Sequence, residues 1–279
     1  MKAFIIDRYG SADRVQASEV PDPEMREDDV LIEIHAAGVN PVDSKIRDGA
    51  FKLFLPYRMP LILGNELAGV VIRVGSRVRR FKPGDEVYAR PDKNRIGTFA
   101  EFIAVSEGDS AIKPKNLTME EAASIPLVGL TAWQALVEKA KLKQGQKALI
   151  HAGSGGVGTF AIQLAKHIGA TVATTTSTPN IDLVRRLGAD IVIDYKKDSF
   201  EEMLRDCDVV LNSLDGEMLR KSLRVLKPGG NLISISGPPH AEFARNLGLS
   251  RILELAMHLL SFRIRRQVKR HQVNYSFLS

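Results

Sequence analysis

One stretch of about thirty residues restricts the fold of this chain more than any other. KALIHAGSGGVGTFAIQLAKHIGATVATTT, residues 147–176, joins an apolar strand-like segment, a glycine-rich turn, an amphipathic segment and a second β-branched segment. Short apolar segments continue to alternate with helical segments as far as NLISISG, residues 231–237. Such alternation is typical of parallel strands joined by right-handed helical crossovers. We therefore predict an α/β, doubly wound parallel-sheet domain over residues 123–272.

Residues 1–122 have a different rhythm and predict a mostly β domain. Short alternating or apolar segments are separated there by Gly, Pro and Asp, which are strand and turn signals. Thr118 and Glu121 have the spacing of a capping box, so a helix start is expected beside the boundary. A chain of 279 residues with 44% hydrophobic content can form a core in both domains.

The glycine-rich turn predicts a binding site for a dinucleotide. It has the form Gly153-x-Gly155-x-x-Gly158 between a strand and a helix, and glycine lets backbone N–H groups approach a pyrophosphate at the helix start. The alternative is a glycine turn of purely structural use. A mononucleotide P-loop is disfavoured because no Lys followed by Ser or Thr closes the turn. The expected cofactor contacts in the turn are Gly153, Ser154, Gly155, Gly156, Val157 and Gly158.

The end of the second strand predicts NADP(H) rather than NAD. An acidic residue there would bind the 2′-hydroxyl of the NAD ribose, but no carboxylate occurs between Gly158 and Asp182. Thr176, Ser177 and Asn180 could instead donate hydrogen bonds to a 2′-phosphate. The alternative is that these side chains only cap the next helix.

Charge and cysteine content narrow the classes of partner. The net charge is +6, but charges of both signs are scattered along the chain, which does not favour a nucleic-acid partner. The single cysteine, Cys207, excludes an internal disulfide and suits a reducing compartment. The N-terminal sequence does not resemble a signal peptide, and the apolar segment LELAMHLLSF is too short to span a bilayer. We expect a cytoplasmic protein.

The segment 251–272 combines apolar residues at helical spacing with five basic residues. A basic amphipathic helix can lie on an anionic membrane surface. The alternative, which we favour, is a helix that packs over the cleft between the two predicted domains, with its charges solvated. The basic residues are Arg263, Arg265, Arg266, Lys269 and Arg270.

Six segments together resemble the medium-chain dehydrogenase/reductase superfamily, and within it the zinc-independent quinone reductases and alkenal reductases. The resemblance implies a GroES-like catalytic domain over 1–122, a Rossmann NADP-binding domain over 123–272, and an active site in the cleft between them. It also implies that 273–279 starts a truncated return to the catalytic domain, and that a homodimer forms through an edge strand such as NLISIS. The segments are GVNPVDSKIRDG (38–49), GNELAGVVIRVGSRVRRFKPGDEVYA (64–89), EAASIPLVGLTAW (121–133), the glycine turn, LGADIVIDY (187–195) and LKPGGNLISISG (226–237).

The resemblance places asparagines where zinc-dependent members of the superfamily have zinc ligands. Asn40 stands where those enzymes have Cys, and Asn65 where they have the His of a G-H-E motif. Asparagine is a poor zinc ligand beside thiolate or imidazole, so no metal is expected. Hydride transfer from NADPH to a quinone or an α,β-unsaturated carbonyl, an enone or enal, needs only positioning, hydrogen bonds and a proton. That reduction is the function the resemblance implies.

The same resemblance implies roles for further residues. Asn40 and Asp43 are expected to line the catalytic site, and Tyr57 is a weaker nomination as an acid or a pocket wall. The structural alternatives are that the Asn40 amide stabilises a turn, that Asp43 caps a helix starting at Ser44, and that Tyr57 only packs against its neighbours. Tyr195 is expected near the adenosine phosphate, or is simply a surface tyrosine. Residues expected near the nicotinamide half are Val128, Thr131, Asn212, Ser236 and Gly237.

Two further functional hypotheses remain beside a reductase. One is an NADPH-binding protein with little turnover, such as a sensor or a partner subunit. The other is a membrane-surface protein with a reductase-like scaffold. NADPH consumption with simple quinones and enals separates the reductase from the first of these.

Overall fold

The computed structural model describes residues 1–53, 55–238, 245 and 251–278. The chain divides into two compact units, Met1–Leu127 and Val128–Ser279. The sequence patterns place the boundary between the two domains five residues earlier, at 122–123.

The first unit is built from antiparallel sheets. A three-stranded sheet has the order β2-β1-β4, and a five-stranded sheet has the order β7-β3-β5-β6-β8. The strands are β1 (Lys2–Ile6), β2 (Gln16–Glu19), β3 (Asp29–Ala37), β4 (Leu61–Ile62), β5 (Leu67–Val74), β6 (Glu86–Ala89), β7 (Phe102–Ser106) and β8 (Ser110–Ile112).

The larger sheet buries one face because apolar residues alternate along its strands. Val30 and Ile32 of β3 are fully buried with Leu67 and Val71 of β5, and each such side chain contributes about 1.5–3 kcal/mol on burial. The short helix α1 (Pro41–Arg47) follows β3, and α2 (Met119–Ala123) packs against β3 and β5. Thr118 and Glu121 form the predicted capping box of α2.

The second unit is a six-stranded parallel sheet of the order β11-β10-β9-β12-β13-β14. Counted within this unit the order is 3-2-1-4-5-6, the doubly wound arrangement in which ligands bind where the strand order reverses, here between β9 and β12. The predicted α/β fold is confirmed. Its strands are β9 (Lys147–Ile150), β10 (Thr171–Thr176), β11 (Ile191–Asp194), β12 (Cys207–Asn212), β13 (Leu226–Ser234) and β14 (Asn274–Phe277).

Helices cover both faces of this sheet. Ala148 and Ile150 of β9 face a cluster that includes Leu136 and Ile162, while Leu149 faces the opposite cluster with Leu219. The helices are α3 (Pro126–Trp133), which continues into a π-helical turn at Gln134–Lys139, α4 (Gly156–Ile168), α5 (Ile181–Arg186), α6 (Phe200–Met203), α7 (Gly216–Ser222), α8 (Arg251–Leu260) and α9 (Phe262–His271).

The last described strand corrects two expectations. The predicted start of a return to the first unit, over 273–279, is wrong for the described residues 273–278, because β14 pairs in parallel with β13 and Leu278 is buried in the core of the second unit. NLISIS is consequently not an edge strand, since Asn231–Ser234 lies between β12 and β14. The physical reason is that packing against the sheet removes the apolar side chains of Val273 and Leu278 from water, which is favourable.

The basic segment packs as a helix against the second unit. Ile264 of α9 is buried and Val268 packs beside it on the same core cluster. Arg263, Arg266 and Arg270 are exposed on the other side. In the part of the chain that is described, no helix is long and apolar enough to cross a membrane.

Candidate functional site

Two glycines of the turn between β9 and α4 are required by close packing. The Gly153 N–H donates to the Thr175 carbonyl oxygen at 2.9 Å, and a Cβ at Gly153 would lie 2.0 Å from the Thr174 Oγ1. A Cβ at Gly158 would lie 2.3 Å from the Ala152 carbonyl oxygen. The turn therefore folds back on β10 and on itself in a way that no larger residue permits.

The other two glycines leave the start of α4 bare. Gly155 is the N-cap residue and provides no side-chain cap, Gly155 and Gly156 are exposed, and the first turn contains no acidic residue. The first N–H groups of a helix have no intrahelical acceptor and carry a partial positive charge. Val128 lies against this start, because a Cβ at Gly156 would be 3.1 Å from its Cγ1. The arrangement fits the pyrophosphate of a dinucleotide.

A polar cluster lies beside the turn at the end of β10. The Thr176 hydroxyl donates to the Ser154 Oγ at 3.0 Å. The Asn180 Nδ2 donates to the Ser154 Oγ and to the Ser177 Oγ, both at 3.2 Å. The structure thus brings the three residues nominated for a 2′-phosphate, Thr176, Ser177 and Asn180, together with Ser154 of the glycine turn. Ser177 precedes a 3₁₀ turn at Thr178–Asn180 and makes no side-chain cap there, which counts against the capping alternative.

The neighbouring strand end contributes a carboxylate that sequence reasoning missed. Asp194 is buried and accepts hydrogen bonds from the Thr178 hydroxyl at 2.5 Å and the Lys196 N–H at 3.1 Å, while the Lys197 ammonium lies 3.8 Å away. Tyr195 follows it, 61% exposed, and its N–H donates to the Thr176 carbonyl oxygen at 3.1 Å. The signal for Asp194 was its place at the end of a predicted strand beside β10.

Two of the residues nominated for the nicotinamide half, Asn212 and Gly237, contact Ser234, which the sequence reasoning also missed. The buried Asn212 Nδ2 donates to the Ser234 Oγ at 3.3 Å and the Gly237 N–H donates to it at 2.8 Å. The Ser236 hydroxyl donates to the Leu214 carbonyl oxygen, and so does the Asn212 Nδ2, at 3.1 Å. These groups lie at the carboxyl ends of β12 and β13. Thr131 is half-buried on α3, one turn beyond Val128.

In the first unit, four polar residues form one hydrogen-bonded cluster. They are Asn40, Asp43, Asn65 and Glu66. The Asn40 Nδ2 donates to the Glu66 Oε1 at 2.6 Å, and the Asn65 Nδ2 donates to the Asp43 Oδ1 at 2.7 Å. The Asn40 backbone N–H donates to the Asp43 Oδ2 at 2.7 Å, and the Leu127 N–H donates to the Glu66 Oε2 at 2.7 Å. Each oxygen of the two carboxylates therefore has one donor.

The start of α1 corrects the alternative offered for Asp43. The helix begins at Pro41 with Asn40 as its N-cap residue, so Asp43 is the third helical residue and does not cap a helix starting at Ser44. Proline suits the first helical position, which is why the helix starts three residues early.

The two carboxylates of this cluster are almost fully buried. Asp43 is 4% exposed and Glu66 is 1% exposed, and burial raises the pKa of both groups against the lowering effect of their donors. Gly38 makes the space for Glu66, since a Cβ at Gly38 would lie 2.3 Å from the Glu66 Oε1. Sequence reasoning passed over Glu66, although it is the Glu of the Gly64-Asn65-Glu66 segment compared with the G-H-E motif, and that position was the signal that could have found it.

The donor set of this cluster does not fit a zinc ion. Both asparagines turn their NH₂ groups toward the carboxylates, and an N–H donor cannot coordinate a cation. Among the described residues, no group of three or more His, Cys, Asp or Glu side chains could hold a metal ion.

The contacts of Tyr57 are those of a packing residue. Its hydroxyl donates to the Lys93 carbonyl oxygen at 2.8 Å, and its N–H donates to the Tyr9 hydroxyl oxygen at 3.1 Å. The ring packs beside Ile6 and Leu61, and burial raises the pKa of its hydroxyl well above the usual range. These contacts support the packing alternative over a role as an acid.

A buried histidine at the start of the glycine turn was not singled out from the sequence. His151 is 1% exposed, and burial lowers its pKa to about 4 from the usual 6.5. The unfolded chain takes up this proton near pH 6.5 and the folded chain only near pH 4. The stability present above pH 6.5 is therefore lost as the pH falls through that interval.

Because of this histidine, we expect the free energy of unfolding of the second unit to fall by about 2 kcal/mol when the pH is lowered from 7 to 5. Urea unfolding, monitored by the fluorescence of Trp133, measures this free energy. Trp133 is the only tryptophan and lies in the second unit. His151→Leu should remove this part of the pH dependence. An equal shift of the urea midpoint in parent and variant would contradict the assignment.

Comparison with known proteins agrees with this architecture. Residues 26–115 match the family model of the alcohol dehydrogenase GroES-like domain, and residues 156–273 match the model of the zinc-binding dehydrogenases. The chain is 44% identical over 256 residues to 2-methylene-furan-3-one reductase of Solanum lycopersicum, and 42% identical over 255 residues to the chloroplastic NADPH-dependent alkenal/one oxidoreductase of Arabidopsis thaliana. Each alignment covers 87% of this chain and 65% of the relative, so the chain spans somewhat less than two thirds of their length.

A solved structure resembles the whole chain. The quinone oxidoreductase of Coxiella burnetii superposes with a TM-score of 0.85 at 32% identity, over 100% of this chain and 82% of that one. Both units therefore have the fold of a known reductase.

Proposed function

The chain belongs to the medium-chain dehydrogenase/reductase family, and from this premise we propose that it is an NADPH-dependent, zinc-independent reductase of quinones or α,β-unsaturated carbonyls. The observation that carries the proposal is the bare start of α4 beside the polar cluster of Ser154, Thr176, Ser177 and Asn180. The names of the tomato and Arabidopsis relatives support the choice of substrate class.

NADP(H) fits the second unit by the chemistry of its donors. The N–H groups at the start of α4 would hold the pyrophosphate, and the hydroxyl and amide groups of the polar cluster would hold the 2′-phosphate. Asn212, Ser236 and Gly237 would lie toward the nicotinamide, because ligands of a doubly wound sheet bind at its carboxyl edge. Bound NADPH would supply the hydride.

The first unit would supply the group that meets the acceptor oxygen. The Asn40 Nδ2 carries two N–H groups, and the Glu66 carboxylate accepts a hydrogen bond from this nitrogen. The second N–H is the donor we propose for the carbonyl oxygen, where negative charge grows as hydride arrives. Asp43 and Asn65 act through Asn40, since the Asp43 carboxylate accepts the Asn40 backbone N–H.

Location and assembly complete the proposal. A buried, unpaired Cys207 suits the reducing cytoplasm. A homodimer would pair through β14, one of the two edge strands of the described parallel sheet.

The function is tested by NADPH oxidation with a simple quinone and a short enal as acceptors. Consumption of NADPH that depends on the acceptor supports a reductase. NADPH binding without reduction of either acceptor would contradict it, and would favour an NADPH-binding protein with little turnover.

Asn40→Ala should lower kcat by about a hundredfold while leaving the NADPH Kd unchanged, because it removes a donor to a developing oxyanion. Val39→Ala, next in sequence at a position 82% exposed, should behave as the parent. Steady-state kinetics with a fluorescence titration separate the two effects. A parent-like kcat in Asn40→Ala would remove Asn40 from the chemistry.

A further inference from the structure

The residue that joins β9 to the glycine turn is fully enclosed by polar and aromatic partners. The His151 Nε2 lies 2.9 Å from the Ser222 Oγ, and the His151 Nδ1 lies 3.1 Å from the Thr175 Oγ1. The Phe200 ring meets the imidazole edge-on, with centroids 4.7 Å apart and an interplanar angle of 77°. The proposed reduction uses none of these groups directly, so the cost of burying the imidazole needs another explanation.

The partners determine which nitrogen of the imidazole carries the proton. The Ser222 hydroxyl donates to the Met218 carbonyl oxygen at 2.7 Å, so its oxygen accepts from His151. The Nε2 is therefore protonated and the Nδ1 is an acceptor in the neutral ring. The Nδ1 then accepts the Thr175 hydroxyl proton.

The same threonine holds the backbone of the turn at two points. The Thr175 Oγ1 accepts the Ala152 N–H at 3.2 Å, and the Thr175 carbonyl oxygen accepts the Gly153 N–H at 2.9 Å. Ala152 has φ +52°, a left-handed conformation that disfavours residues with a Cβ. Its carbonyl oxygen in turn accepts the Gly155 N–H at 2.9 Å. A hydrogen-bonded series thus runs from Met218 through His151 to the N-cap residue of α4.

We propose that His151 is a positioning residue for dinucleotide binding, whose Nδ1 orients the Thr175 hydroxyl and thereby holds Ala152–Gly155 in the binding conformation. This inference rests on the proposed function for the identity of the ligand. The mechanism is directional: if Nδ1 is lost as an acceptor, the Thr175 side chain can rotate about χ1, and its Oγ1 then leaves the Ala152 N–H without a partner. The Ser222 contact fixes the ring and does not reach the turn.

Two near-isosteric substitutions of His151 distinguish its hydrogen bond to Thr175 from its hydrogen bond to Ser222. In His151→Asn the side-chain oxygen can take the place of Nδ1 and accept the Thr175 hydroxyl. In His151→Gln the longer side chain reaches toward Ser222 and leaves Thr175 without its acceptor. Thr175→Val removes the hydroxyl at nearly constant shape.

We expect His151→Gln and Thr175→Val to weaken NADPH binding about tenfold, the effect of one lost hydrogen bond in the loop, and His151→Asn to stay close to the parent. Fluorescence titration of the full chain, below the melting temperature of every variant, gives the Kd. His167→Gln, at an exposed position on α4, is the matched control and should bind as the parent does.

Amide hydrogen exchange of Ala152 and Gly153 without ligand gives a second measurement. It should be faster in His151→Gln and Thr175→Val and unchanged in His151→Asn. If these two variants lower only the melting temperature, with parent-like exchange and NADPH Kd, His151 merely fills the core and the inference is wrong. If the parent does not bind NADPH, the proposed function fails, and parent-like or faster exchange in the variants still decides whether His151 holds the turn.

Discussion

Gly158→Ala should weaken NADPH binding by about a hundredfold or more and lower the melting temperature by about 5–10 °C, equivalent to about 2–3 kcal/mol. The added Cβ would lie 2.3 Å from the Ala152 carbonyl oxygen and 2.7 Å from the Gly153 Cα. Both are backbone atoms of the binding turn, so the strain can be relieved only by moving the turn away from α4. The loss of affinity thus follows from the same displacement as the loss of stability.

Gly216→Ala is the matched control for this prediction. Gly216 also lies at the start of a helix, α7, but a Cβ there meets no atom within 4 Å. Isothermal titration with NADPH and thermal unfolding of both variants complete the comparison. A Gly158→Ala protein with the parent's Kd would show that the turn between β9 and α4 does not bind the cofactor.

Ser177→Asp should reverse the cofactor preference, with NADPH bound about 10–100-fold more weakly and NADH affected little. The new carboxylate would face the 2′-phosphate beside Ser154 and Asn180, where two negative charges at close range repel. The same carboxylate could accept a hydrogen bond from the 2′-hydroxyl of NADH.

Ser177→Asn controls for the change of size in this position without adding charge. Fluorescence titrations of parent, Ser177→Asp and Ser177→Asn with both cofactors separate the effect of charge from that of shape. Equal NADPH and NADH affinities in the parent would contradict the prediction that the TTTST segment selects NADPH. An equal loss of NADPH affinity in both variants would show that the effect is steric.

The parts of the candidate site that lie close together in sequence are also close together in the structure. Ser154 of the glycine turn, Thr176, Ser177 and Asn180 belong to one strand-turn-helix-strand stretch, and the structure brings them into contact, while their role in binding stays a prediction. Asn40 and Asp43 share the start of α1, although the position of that start was predicted three residues too late. Local hydrogen-bonding rules and backbone sterics govern such short segments, so residue types alone carry the information.

The residues that were missed depend on partners far away in the chain. Glu66 meets Asn40 26 positions earlier, and His151 meets Ser222 71 positions later. Both lie in segments that the sequence analysis used for other residues, and the partner of each side chain is brought to it only by folding. Ser234 is similar, since it gathers Asn212 from the neighbouring strand.

Sequence patterns alone predicted the doubly wound sheet and a bare backbone that suits a pyrophosphate, and the resemblance to the family added the asparagines in place of zinc ligands. Periodicity, glycine and ligand chemistry are properties of residue types and short spacings, which survive in a linear string. The tertiary structure decided which amide faces Glu66 and which nitrogen of His151 is protonated. It also decided that Asn274–Phe277 adds a strand to the parallel sheet. Those outcomes depend on burial and on contacts between distant segments, because a buried polar group must find its partner wherever the chain brings one.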